Sequence, residues 1–121
     1  MKTLFFVFLG GGIGSLIRHG INILMSSYSG KFPYATLLVN ILACLLLGFL
    51  IGLSSKNIFN QEMKLFLMVG VCGGFSTFST FSAEAFDLFN SGNALSAIFY
   101  MAASFLICMV AIYGGIRLGE F

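Results

Sequence analysis

Apolar residues dominate four long stretches of the chain, at about residues 3–25, 34–53, 63–90 and 94–116, and polar residues gather in the short intervals between them. Each stretch reaches the length of about 20 residues that a helix needs to cross a bilayer, so the pattern predicts four membrane-spanning helices. Within the stretches the few polar and small residues recur at helical spacing. In the first, Gly11, Gly14, Ser15, Arg18 and Asn22 share one side of the cylinder. In the second, Thr36, Asn40, Cys44, Gly48 and Gly52 recur every four residues, and in the fourth Tyr100, Ser104 and Cys108 do the same. Such stripes face protein or water rather than lipid.

The intervals carry turn signals. Residues 26–32 include Gly30 and Lys31 and lead into Pro33, the only proline, which suits a helix start. Residues 54–62 hold Lys56, Asn57, Asn60, Gln61 and Glu62, and Ser91-Gly92-Asn93 makes the last turn. The third stretch departs from a plain helix. Its residues 70–81 read Gly-Val-Cys-Gly-Gly-Phe-Ser-Thr-Phe-Ser-Thr-Phe. Adjacent Gly73 and Gly74 are costly in a helix and the hydroxyls that follow compete for backbone groups, so the ladder is expected to open here. Opened carbonyls at membrane depth need protein, water or an ion as partner, which makes the break a candidate ion site.

Composition sharpens the class. Of 121 residues, 59% are hydrophobic and 8% charged, and the mean hydropathy is +1.03. That predicts an all-α integral membrane protein, one four-span domain over residues 1–121 with no soluble part. The first stretch resembles the start of a signal peptide, but its apolar run resumes beyond Gly10–Gly12 without a small-residue cleavage pattern, so it reads as a permanent span. Six basic residues against four acidic ones, scattered among helix ends, point to lipid headgroups and not to nucleic acid. Cys44, Cys72 and Cys108 are far apart in sequence and read as packing residues, and with a single histidine, His19, and no nucleophile–base spacing the chain does not read as an enzyme.

Several side chains have two readings. Arg18 either snorkels to headgroups or stands as a cation at the mouth of an anion pathway. Asn40 is either glue between helices or a donor to a passing solute. Phenylalanines at three-residue spacing usually pack, yet Phe75, Phe78 and Phe81 alternate with Ser76, Thr77, Ser79 and Thr80, which raises the prospect that rings line something polar. Glu84 lies about one turn beyond the break and is expected to look into a wet vestibule. Lys2, Lys56, Lys64 and Arg117 fall on one side of the membrane, Lys31 and arguably Arg18 on the other. This bias is small enough to allow insertion in both orientations, and four thin helices call for an oligomer, most simply a homodimer.

Residues 70–81, together with Gly11-Gly12-Ile-Gly-Ser-Leu-Ile-Arg18 and Ala35-Thr-Leu-Leu-Val-Asn40, resemble the signature of the CrcB/Fluc fluoride channels. The likeness extends through the whole chain in length, span count and motif order. It implies an antiparallel, dual-topology homodimer in a bacterial-type plasma membrane, exporting fluoride passively and so lowering its cytoplasmic concentration. It further implies two ion pathways and a structural sodium ion held by main-chain oxygens, which correspond here to Gly73 and Ser76. Phe78 and Phe81 correspond to the rings that contact fluoride, and Asn40 to the amide of the second span. Ser79, Thr80, Tyr100 and Ser104 are further candidates for the pathway, and Arg18 and Glu84 for its vestibule. Ser76 stands where the family usually has threonine, a change of little weight if its main-chain oxygen is the ligand.

The chemistry is coherent with these residue types. Fluoride holds water tightly, so a selective path must replace that hydration with closely spaced neutral donors, because a deeply buried cation would trap the ion. Amide N–H, hydroxyl O–H and the electropositive ring edge of phenylalanine all qualify. Two other readings compete. A small four-helix proton-coupled multidrug exporter would need a carboxylate deep in its first span, usually beside tryptophan, where this chain has Arg18 and no tryptophan at all. A non-transporting membrane subunit would leave the Phe-Ser-Thr triplets unexplained.

Overall fold

The computed structural model describes residues 1–28 and 30–121; Ser29, in the expected first turn, lies outside them. Among the described residues every regular element is helical. Helix α1 spans Lys2–Leu24 and is followed by a short 3-10 turn, Ser26–Tyr28. Helix α2 spans Tyr34–Ser54 and starts directly after Pro33, whose missing N–H costs nothing at a helix start. Helix α3, Gln61–Lys64, is opened by the Asn60 side chain, which accepts the Met63 N–H at 2.8 Å. The chain then winds as a π-helix through Leu65–Cys72 and returns to α geometry in the short α4, Gly73–Phe75. Helix α5, Phe78–Asn90, and helix α6, Ala94–Glu120, complete the chain, joined by a turn in which Gly92 takes a left-handed φ of 81°.

Four helical stretches, Lys2–Leu24, Tyr34–Ser54, Gln61–Asn90 and Ala94–Glu120, are long and apolar enough to cross a membrane. Their bounds lie close to those read from the hydropathy pattern. Large apolar side chains such as Phe8 (75% exposed) and Leu95 (82%) project outward, which suits contact with lipid tails and not with water. The interior is small. Tyr100 and Val39 are fully buried, Tyr100 with Ala85, Leu88 and Ala97, and Val39 with Ala43 and Phe75.

Glycines set how the spans pack. A Cβ on Gly10 or Gly14 would overlap the carbonyl oxygens of Phe66 or Val71, so α1 and the third span touch backbone to backbone. Gly48 and Gly52 meet the carbonyls of Ile112 and Ile116 in the same way. The residue pairs 48/112 and 52/116 advance together, so α2 and α6 run in the same direction with one constant offset. That register is the scaffold of the site.

In the third span the structure departs in detail from the sequence reading. Gly73 is helical (φ −65°, ψ −38°), and the two residues with extended backbone are Ser76 (ψ 158°) and Thr77 (φ −150°, ψ 114°). The physical reason lies in what Gly74 is used for. A Cβ on Gly74 would overlap the Gly11 carbonyl, so that glycine serves close approach to α1 rather than loss of helical geometry.

Candidate ion pathway

Thr77 occupies the centre of the site. Its extended backbone leaves its N–H and C=O without neighbours in the chain, and Asn40 of α2 meets both. The Thr77 N–H donates to Asn40 Oδ1 at 2.8 Å, and Asn40 Nδ2 donates to the Thr77 carbonyl at 3.2 Å. The two partners fix the orientation of the amide and leave one Nδ2 hydrogen uncommitted. The Thr77 hydroxyl caps α5, accepting the Thr80 N–H at 3.3 Å, and donates to the Thr80 hydroxyl at 3.1 Å with Ser79 Oγ 3.5 Å away.

The α2–α6 register then stacks matched pairs in successive turns: Thr36 with Tyr100, Asn40 with Ser104, Cys44 with Cys108. At the first level, Thr36 Oγ1 donates to Glu84 Oε1 at 2.8 Å and the Tyr100 hydroxyl donates to Oε2 at 2.9 Å. A carboxylate inside a membrane span is thereby met on both oxygens by neutral hydroxyls. The Tyr100 ring lies 5.0 Å from Phe81 and 5.5 Å from Phe32, and Phe81 is 5.7 Å from Phe78. At the second level, Ser104 Oγ is buried and has no hydrogen-bond partner among the described residues.

Three cavities organise these groups. A groove of about 270 Å³ is lined by Asn40, Thr77, Phe78, Phe81 and Ser104. A larger one of about 680 Å³ is bordered by Lys31, Thr36, Thr80, Glu84 and Asp87. The third, about 130 Å³, touches Gly73 and Ser76. The sequence candidates Asn40, Phe78, Phe81 and Ser104 thus share one space, and Thr80 and Glu84 share another. Tyr100 is fully buried between Phe81 and Glu84, with its hydroxyl engaged. Ser79 is exposed beside the Thr77 hydroxyl.

Arg18 is not among the described residues that border the large cavity; it donates from Nη1 to the Ser76 carbonyl at 3.3 Å. Two side chains that hold the site together, Thr77 and Thr36, are not among the residues singled out for it from sequence. Each had a signal. Thr77 precedes α5 at the position where a hydroxyl caps a helix, and Thr36 leads the every-fourth stripe that contains Asn40.

The carbonyls of Gly73 and Ser76 can be tested as ligands for a hard cation. The N–H groups four residues on, at Thr77 and Thr80, are taken by Asn40 and by the Thr77 hydroxyl, so neither is available to them as a helical donor. Neutral main-chain oxygens released from a helix in this way, bordering one small cavity, are the donor type that suits an alkali cation. Of the two, the Ser76 oxygen already accepts from the Arg18 guanidinium, so a cation held there would have to share that oxygen with Arg18 or displace it.

The family described as CrcB-like protein, Camphor Resistance (CrcB), matches residues 5–116. A protein of Flavobacterium psychrophilum named fluoride-specific ion channel FluC is 40% identical over 122 residues, covering 99% of this chain and 98% of its own. Proteins of the same name from Azobacteroides pseudotrichonymphae (39% over 123 residues, 100% of this chain and 98% of its own) and Phocaeicola vulgatus (40% over 121 residues, 99% and 100%) are similarly close. With four apolar spans and near-complete coverage by both the family and these relatives, the chain is a multi-pass integral membrane protein and belongs to the CrcB-like family.

Proposed function

We propose that this protein is a fluoride-selective channel through which fluoride leaves the cell passively, built as an antiparallel dual-topology homodimer of four-span subunits that each form one channel domain. One observation carries the reading: Asn40, Phe78, Phe81 and Ser104 converge on a single groove, with no charged side chain among the described residues that line it. The names of the relatives point to the same ion.

The groove's chemistry suits a small, strongly hydrated anion. The uncommitted Nδ2 hydrogen of Asn40 and the unpaired Ser104 hydroxyl replace water donors, and the rings of Phe78 and Phe81 present electropositive edges. Phe78 is 79% exposed in the single subunit, so in the dimer its ring is free to face the ion path of the pair. The extended residues Ser76 and Thr77 are read as a functional break in the third span, after which α5 starts at Phe78 in the lining of the groove. Glu84, held by Thr36 and Tyr100, borders the larger cavity, read as the vestibule, with its carboxylate met by two donors.

The Gly73 and Ser76 carbonyls would hold a structural sodium ion, whose charge would add positive potential beside the groove that Ser76 also lines. The chain's own contribution is to send the Thr77 and Thr80 N–H groups elsewhere, so that neither oxygen serves a helical hydrogen bond, although Ser76 accepts from Arg18.

Replacing a ring tests the pathway. Phe81→Ile is expected to leave a folded dimer and slow fluoride efflux from proteoliposomes by about an order of magnitude or more; unchanged efflux would remove Phe81 from the path. Cysteine tags on the loops are expected to react from both faces of the membrane, and labelling from one face alone would contradict dual topology.

A further inference from the structure

The cysteines, read from sequence as unrelated packing residues, are not scattered in space. Cys44 and Cys108 form the third level of the α2–α6 stack, one turn beyond Asn40 and Ser104 and one turn before the Gly48–Ile112 contact. Their side chains are near enough to interact. Both are half-buried, and both border the groove that holds Asn40, Phe81 and Ser104. Cys72 also lies near Cys44, but it is 3% exposed and borders only the small cavity, not the groove.

We infer that Cys44 and Cys108 form a two-coordinate site for a soft divalent cation of the mercuric class, set in the wall of the groove. Sulfur ligands select soft metals and disfavour the hard cations that main-chain oxygens take. Among the described residues no three of His, Cys, Asp or Glu come together around a metal, which leaves zinc without the four ligands it takes in a closed site but satisfies an ion that prefers linear two-coordination. Charge decides between the soft ions. Binding breaks two S–H bonds, releases two protons to the medium and forms two metal–sulfur bonds, with no electron transferred. A divalent ion on two thiolates is neutral, whereas a monovalent ion would leave a net negative charge in a low-dielectric wall. A bulky occupant at this level narrows the groove beside Ser104.

The test uses the full-length purified protein and mercuric chloride alone. One equivalent per chain is expected to remove the two groove thiols, Cys44 and Cys108, from thiol titration and to resist washing with a monothiol competitor, with no covalent link between copies. Cys72→Ser should behave as the native chain does. Cys44→Ser and Cys108→Ser, with the Ala variants as folding controls by gel filtration, should each lose the metal to the competitor, with at least about a hundred-fold weaker retention. Loss of one thiol per metal, retention in Cys108→Ser, dependence on Cys72, or bridging between copies would overturn the site. A flux arm separates this proposal from the channel reading on which its consequence rests. Metal held by the pair should stop fluoride efflux from liposomes; efflux that continues with the metal bound leaves the site standing and overturns the placement of the path in this groove.

Discussion

The two parallel helix pairs of this protein use one packing device for different ends. Between α1 and the third span, glycine meets backbone at Gly10, Gly14, Gly70 and Gly74, and the contact does little except bring the main chains together. Between α2 and α6 the same close approach is confined to one end, at Gly48, Gly52, Gly115 and Gly119. Toward the other end the facing positions become Cys44 and Cys108, then Asn40 and Ser104, then Thr36 and Tyr100. The glycine end fixes the register, and the register presents the polar end as matched pairs. A helix pair held by small residues can therefore carry chemistry at its other end without a further structural device.

The largest effect is expected where no adjustment is available. Gly74→Leu drives a side chain into the Gly11 carbonyl, and because backbone cannot swing aside, the variant is expected to lose its folded, monodisperse state in gel filtration. A well-behaved Gly74→Leu protein would break the distinction between the two pairs. Next comes Asn40→Ala, which leaves both the N–H and the C=O of Thr77 unpaired at membrane depth. Each orphaned group costs about 1–3 kcal/mol, so thermal stability should fall clearly and fluoride efflux should be strongly slowed; native behaviour in both would show that water or lipid replaces the amide.

Smaller effects sharpen the polar end. Thr36→Val and Tyr100→Phe each remove one hydroxyl from Glu84, at about 1.5–3 kcal/mol for a hydrogen bond to a charged group. The double variant should cost measurably less or more than the two singles together, because they share one carboxylate. Strict additivity in unfolding measurements would mean that the two hydroxyls act independently. The smallest effect on stability is expected from Ser104→Ala. Its Oγ has no partner among the described residues, so removal should leave stability unchanged or slightly raised while efflux slows. Stability and flux falling together would instead identify a structural serine.

Much of this arrangement was legible in the sequence, for reasons that also explain what was not. Hydrophobic runs of spanning length fixed the four spans, and four-residue spacing exposed the stripes of α2 and α6, since both signals are local. The pairing of those stripes is not local: Cys44 and Cys108, or Thr36 and Tyr100, become neighbours only through a register set by glycines elsewhere. In the third span, Gly73 and Gly74 read as the point of opening because glycine weakens isolated helices. At Gly74, packed against α1, the missing side chain instead permits contact, and the extended residues are Ser76 and Thr77, where Asn40 supplies replacement partners to Thr77. The π-helical winding of Leu65–Cys72 had no signature at all, because a run of uniformly apolar residues carries no periodicity to read. Arg18 was placed on the correct face, but its partner, the Ser76 carbonyl, is a main-chain group that sequence patterns do not mark.

The most direct measurement is ion efflux from liposomes loaded with both halides and containing the purified native chain, followed with fluoride- and chloride-selective electrodes. The account predicts rapid loss of fluoride while chloride is retained. Equal leakage of the two ions, or none of either from correctly folded protein, would contradict it.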